Sequence, residues 1–106
     1  MNIKQMQFSN DLINFLGKNG TIYTVRKYKM DEQSVKVKTV GTCKRIPVGI
    51  IRLKLDLARY VLYSGFRNID EWWNRITRYI NPELDIMYIY KVVVTYSMKG
   101  NNSEKY

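Results

Sequence analysis

The stretch GKNGTIYTVRKY, Gly17–Tyr28, sets two glycines and two polar residues directly before a run of β-branched and aromatic side chains. Gly20 offers a turn, and Thr21–Tyr28 has the composition of a pleated, half-buried strand. Strand alternation puts Ile22, Thr24, Arg26 and Tyr28 on one face and Tyr23, Val25 and Lys27 on the other. A hydroxyl and a guanidinium two residues apart on one face suit the holding of a phosphate or a base better than the moving of protons. The segment therefore reads as a turn and strand that also walls a ligand cleft.

Working outward, SNDLINFLGKNG predicts a helix over residues 10–16, capped by Ser9 or Asn10, striped by Leu12, Ile13, Phe15 and Leu16, and stopped by Gly17. After the polar MDEQ, the segment SVKVKTVGTCKRI alternates valine with lysine as one strand, with Gly41 marking a bulge or a close backbone approach and Pro47 its end or edge. IIRLKLDLARYVLYSGF is split near Asp56, as an N-cap, into a strand over 48–54 and a short helix over 56–63 ended by Ser64-Gly65. NIDEWWNRITRYI carries the capping-box spacing Asn68 to Glu71 before an apolar stripe, which predicts a helix over 69–80. DIMYIYKVVVTYS reads as a long closing strand, and residues 98–106 as a polar, mobile tail. Helix, strand, strand, strand, helix, helix, strand, without regular βαβ alternation, predicts a mixed or antiparallel α+β domain with a curved sheet over residues 1–97.

The chain of 106 residues carries 18 Lys and Arg against 9 Asp and Glu, a net charge of +9. Seven of the basic residues and one acid fall within residues 35–62. Such an excess points to a polyanionic partner, nucleic acid first, although lysine-rich strands also discourage edge pairing. The lone Cys43 has no disulfide partner within the chain, which predicts a reduced, cytoplasmic setting. The N-terminus lacks a signal-peptide core, and no apolar run approaches the ~18 residues that read as a bilayer span, so no membrane is expected as a partner.

The sequence contains no histidine, which removes histidine-activated nucleophiles and imidazole metal ligands, and one cysteine cannot build a thiolate zinc site. GKNGT is too short for a phosphate-cradling P-loop. Glu71 and Asp56 are accounted for as helix caps and Asp31-Glu32 as a solvated turn, so paired-carboxylate hydrolysis has little support. Of the tandem Trp72-Trp73, one ring is expected in the core and the other at its margin, because adjacent helical positions point about 100° apart. Tyr23, Tyr28, Tyr60 and Tyr63 are the aromatic candidates for stacking beside cations.

A glycine-and-lysine turn, T-x-R on a strand, a strand broken by VG, then SGF before an I-D-E-W helix and a last apolar strand resembles the ASCH domains of the PUA-like superfamily, over about residues 8–96. The resemblance implies a small β-barrel, or pseudo-barrel, with flanking short helices. It also implies a cleft between barrel and helices, occupied in that family by a sequence related to G-x-K-x-x-E-x-R. Here GTIYTVR corresponds, with Thr24 and Arg26 on matching positions, and Ser64-Gly65-Phe66 stands where the family has E-G-F. Some members are amidohydrolases on acetylated cytidine through a lysine, a threonine and a glutamate. Thr24 matches the threonine, whereas Thr21 and Ser64 occupy the other two positions.

The leading expectation is thus an RNA- or other nucleic-acid-binding domain without cofactor, metal or catalytic residues. Lys18, Thr24 and Arg26 are expected at the cleft, Lys44, Arg45 and Arg59 on its positive rim, and Lys36 and Lys38 steer. The alternatives are an amidohydrolase or nuclease on a modified nucleoside or RNA, using Thr24 and a displaced lysine, and a small protein-interaction module of viral or plasmid origin.

Overall fold

A computed structural model describes residues 3–97; the predicted tail, 98–106, lies outside them. The fold is a compact α+β domain built on one mixed, five-stranded sheet. Its strands are β1 (Lys4–Gln5), β2 (Thr21–Arg26), β3 (Gln33–Val37), β4 (Gly41–Ile51) and β5 (Met87–Ser97), in the order β1-β3-β4-β5-β2. The pairings are antiparallel except for β1, which runs parallel to β3 through Lys4–Val35 and Gln5–Lys36. β1 and β2 are the two edges, so the sheet is open. Helix α1 (Asn10–Asn19) precedes β2, and α2 (Ile69–Ile76) precedes β5. No helix among the described residues is long and apolar enough to cross a membrane.

The two faces of the sheet build two cores. Ile22, Val35, Cys43 and Val92 meet Leu16 of α1, with Phe8 and Leu12 packed at the margin. On the other face Val25, Ile51, Met87 and Ile89 meet Leu57, Trp72, Ile76 and Ile80. Adjacent residues of β2 and β5 thus serve different cores, as a strand period of two requires. Trp72 is buried and Trp73 lies at the margin, in line with their helical offset.

Local chemistry moves several boundaries. Gly17 does not stop α1; it lies inside the helix, where a Cβ would stand 3.8 Å from Val40 Cγ2. The stop is Gly20, at φ 80°, whose N–H donates to the Leu16 carbonyl. Ser9 occupies the N-cap position, yet its hydroxyl bonds Asp11 and caps no backbone amide. Gly41 is not a bulge within one strand: residues 38–40 form a hairpin between β3 and β4, with Thr39 at φ 62° and Gly41 at φ 128°. The irregularities of β4 fall at Thr42/Cys43 and Pro47/Gly49, and Pro47 is accommodated at the second of them.

Residues expected as a strand and helix over 48–63 are the end of β4 followed by 3₁₀ turns at Lys54–Arg59 and Val61–Tyr63. Leu57 is buried while Leu62 is fully outward, so no 3.6-residue stripe exists to hold an α-helix. Asp56 is not the N-cap but reaches back from inside the turn, accepting from the backbone N–H of Arg52 and of Leu53, each at 2.8 Å. Those bonds hold its carboxyl below the usual range.

Helix α2 starts as the capping-box spacing predicts and ends sooner, at Ile76 rather than residue 80. Asn68 Oδ1 accepts from the Glu71 N–H at 2.8 Å, while Glu71 reaches past the N-cap to the Arg67 N–H at 3.0 Å and to its guanidinium. Replacing Asn68 by alanine leaves an amide at the helix start unpaired and is expected to cost about 1 kcal/mol. Chemical denaturation checks this; a midpoint equal to wild type would mean that the cap carries no stability.

Candidate functional site

Along the free side of β2 runs a cleft of about 740 Å³, within the ~300–1,000 Å³ of ligand pockets. Three regions wall it. Gln7, Phe8 and Ser9 lead into α1, which adds Leu12. Thr24, Val25 and Arg26 of β2 continue into Lys27, Tyr28 and Met30. Phe66, then Trp72, Arg75 and Ile76 of α2 with the following Tyr79 and Ile80, close the far side.

Each wall is fixed by identifiable bonds. The Tyr90 hydroxyl accepts from the Met30 N–H at 2.7 Å and donates to the Tyr28 carbonyl at 2.8 Å, pinning the segment that follows β2. Arg45 stacks near the Tyr90 ring, 5.9 Å from its centre, and donates to the Asp31 carbonyl at 3.2 Å and Gln33 Oε1 at 2.9 Å. Opposite, buried Ser64 donates to the Val61 carbonyl at 2.8 Å and accepts from the Phe66 N–H at 3.0 Å, shaping the turn through Gly65.

Arg26 is the electrostatic centre of the cleft. Its Nη2 donates to the Gln7 carbonyl at 2.9 Å and its Nε to Thr24 Oγ1 at 3.3 Å, and its guanidinium lies 4.9 Å from the centre of the Phe8 ring. No carboxylate pairs with it among the described residues. Burial lowers its pKa from the usual arginine value, and the positive charge of Arg45 lowers it further. Arg75, 5.2 Å from the Phe66 ring centre, and Lys27 add two more cations. Among the described residues, the lining contains no Asp or Glu. Arg26 is half-buried, so its charge is partly desolvated without a carboxylate partner among the described residues, which is costly, and it lines an open, aromatic-walled space.

Of the residues expected at the site, Thr24 and Arg26 stand together in this cleft. Lys18 lies exposed in the last turn of α1. Lys44 is on the opposite sheet face from Arg45 and pairs with Glu32 at 3.1 Å. Arg45 is not an exposed rim residue: it is 6% exposed, beneath the cleft's loop. Arg59 ends a 3₁₀ turn, 5.9 Å from the Tyr60 ring centre. Among the four tyrosines, Tyr28 lines the cleft, whereas Tyr23 and Tyr60 pack on each other at 4.9 Å between ring centres. Sequence reasoning missed Phe8, Lys27, Arg75 and Tyr79 as lining residues.

The set can hold an anion and a planar apolar group. Among the described residues it offers no carboxylate for proton transfer, and no three His, Cys, Asp or Glu side chains gather as a metal cluster. No protein-family model, curated protein or solved structure matches the chain.

Proposed function

We propose that the chain is a nucleic-acid-binding domain, with RNA as its leading ligand, and that the cleft along β2 is its binding site. The observation that carries this reading is a carboxylate-free lining in which Arg26, Lys27 and Arg75 stand among Phe8, Tyr28, Phe66 and Tyr79. Cations that track phosphates beside rings that stack on bases are the elements of single-strand recognition. The net charge of +9 adds long-range attraction, and Lys18, Lys36, Lys38, Lys44 and Arg59 contribute through that field. The choice of RNA rests on the likeness to ASCH domains. A PUA-like pseudo-barrel is the finer reading of the sheet, supported by the two irregularities that bend β4.

The lack of a carboxylate among the described lining residues and the position of Lys18 outside the lining favour binding over the hydrolase alternative. A labelled single-stranded RNA titrated across a salt series tests the proposal. Affinity is expected to fall steeply with salt, with a log–log slope of about −0.7 per phosphate contact. Substituting Lys27 by alanine should shallow the slope by about one contact, and substituting Lys44, which lies outside the lining and pairs with Glu32, should change it by much less. Binding that ignores salt, or a Lys44 effect equal to that of Lys27, would remove the cleft from the interface.

A further inference from the structure

Beside the cleft lies a second hollow of about 300 Å³, lined by Asp11, Gly65, Phe66, Glu71, Asn74, Arg75 and Arg78. Phe66 and Arg75 line both spaces and so form the wall between them. Arg75 sits over the Phe66 ring and is tethered at its tip: Nη1 donates to Ser9 Oγ at 3.3 Å and Nη2 lies 3.5 Å from Asp11 Oδ2. Ser9 in turn donates to Asp11. Arg78, one turn beyond Arg75, also lines the hollow; it is exposed and has no ion-pair partner among the described residues. Glu71 is already engaged by the Arg67 guanidinium and N–H.

We infer that the hollow is a second phosphate subsite: a nucleic-acid strand seated in the cleft crosses Arg75 and sets its next backbone phosphate between Arg75 and Arg78, displacing Asp11. This rests on the nucleic-acid reading above and extends it in length and polarity of contact. Two features carry it. The cations Arg26, Arg75 and Arg78 mark a continuous route through two spaces that share a wall. The Arg75–Asp11 contact is long and its side chains are 32% and 60% exposed, the kind of pair worth about 0–1 kcal/mol, so a phosphate with charge-assisted bonds to two arginines outcompetes it. Asp11 is ionised at neutral pH with or without the further lowering by the Ser9 hydroxyl, so its carboxylate is a standing competitor for Arg75. Asp11 thereby selects for ligands long enough to present a phosphate in its place.

Calorimetric titration of the whole chain with uridine 5′-monophosphate and with a uridine hexanucleotide separates the two levels of the proposal. Arg78→Ala is expected to weaken the hexanucleotide several-fold and shallow its salt slope by about 0.7, leaving the mononucleotide as in wild type. Asp11→Asn is expected to tighten the hexanucleotide several-fold. The subsite is overturned if Arg78→Ala leaves hexanucleotide affinity and slope unchanged or weakens both ligands equally, and the displacement is overturned if Asp11→Asn fails to tighten binding. If wild type binds both ligands while these variants behave as it does, the cleft reading survives alone. If wild type binds neither, the cleft reading falls and the subsite with it.

Discussion

Replacing Arg26 by methionine is expected to lower affinity for single-stranded RNA by roughly 10- to 100-fold while leaving the melting temperature at or above that of wild type. The binding loss follows from removing a charge-assisted contact to phosphate, worth about 1.5–3 kcal/mol. The stability gain follows from the same partial desolvation that lowers the Arg26 pKa: folding half-buries this cation, with Arg45 adding repulsion and no carboxylate pairing with it among the described residues. Methionine keeps an unbranched apolar stem against Phe8 and has no charge to desolvate. What it gives up is two hydrogen bonds, to the Gln7 carbonyl and the Thr24 hydroxyl. Gln7 is exposed, so water replaces the first at little cost.

The opposite signs are the diagnostic feature. A residue kept for folding loses stability when it is removed, whereas one kept for a ligand can release strain. Thermal unfolding and RNA titration on the same preparation read both quantities. A marked drop in melting temperature with affinity unchanged would make Arg26 a structural tie between the N-terminal lead-in and β2, and would remove the centre of the proposed site.

The sequence displays one half of this site and hides the other. Thr24 and Arg26 are legible because strand alternation on a single six-residue element, Thr21–Arg26, puts them on a common face. Arg75 is not, because helical periodicity says only that it lies off the core stripe of Trp72 and Ile76. Its meeting with Arg26 across the cleft depends on how α2 is set against the edge of the sheet. Phe8 precedes α1 and acquires meaning only once Arg26 lies over it.

Arg45 is instructive in another way. Lys44 and Arg45 are adjacent in a strand and must point to opposite faces, so both could not belong to one rim. The alternation was visible, but which face was covered was not. The glycines divide similarly. Gly17 and Gly20 are equal candidates for ending a helix in sequence, and the choice is made by tertiary contact: Gly17 lets α1 run on close to Val40, while Gly20 takes the left-handed turn. The 3₁₀ turns at 54–63 were obscured because alternating leucines mimic a strand, although Leu53, Leu55 and Leu62 face outward.

Gly65→Ala should cost about 2–3 kcal/mol of stability, which for a domain of this size lowers the melting temperature by roughly 10–20 °C. Two costs combine. The residue sits at φ 88°, where a Cβ costs about 1–2 kcal/mol. That Cβ would also stand 2.6 Å from Leu12 Cδ2 and 3.6 Å from both Ile22 Cδ1 and Phe15 Cγ. Leu12 can turn its side-chain end away, but doing so forfeits packing against the core of α1 and β2.

The two costs separate in a double-mutant cycle. Leu12→Ala removes the atom in the way and leaves the backbone strain, so Gly65→Ala should cost less in the Leu12→Ala background than in wild type, by the steric share alone. Full additivity would mean that backbone conformation accounts for the whole effect and that Gly65 makes no close contact with α1. The position also binds stability to function in a way Arg26 does not. Leu12 and Phe66 both line the cleft, and the Gly65 turn is what lets the end of the 3₁₀ segment lie against α1 and β2. Gly65→Ala is therefore expected to weaken RNA binding even at temperatures where the chain remains folded. The wall that carries Phe66 would be pushed outward, and Arg75 would lose the ring on which it rests.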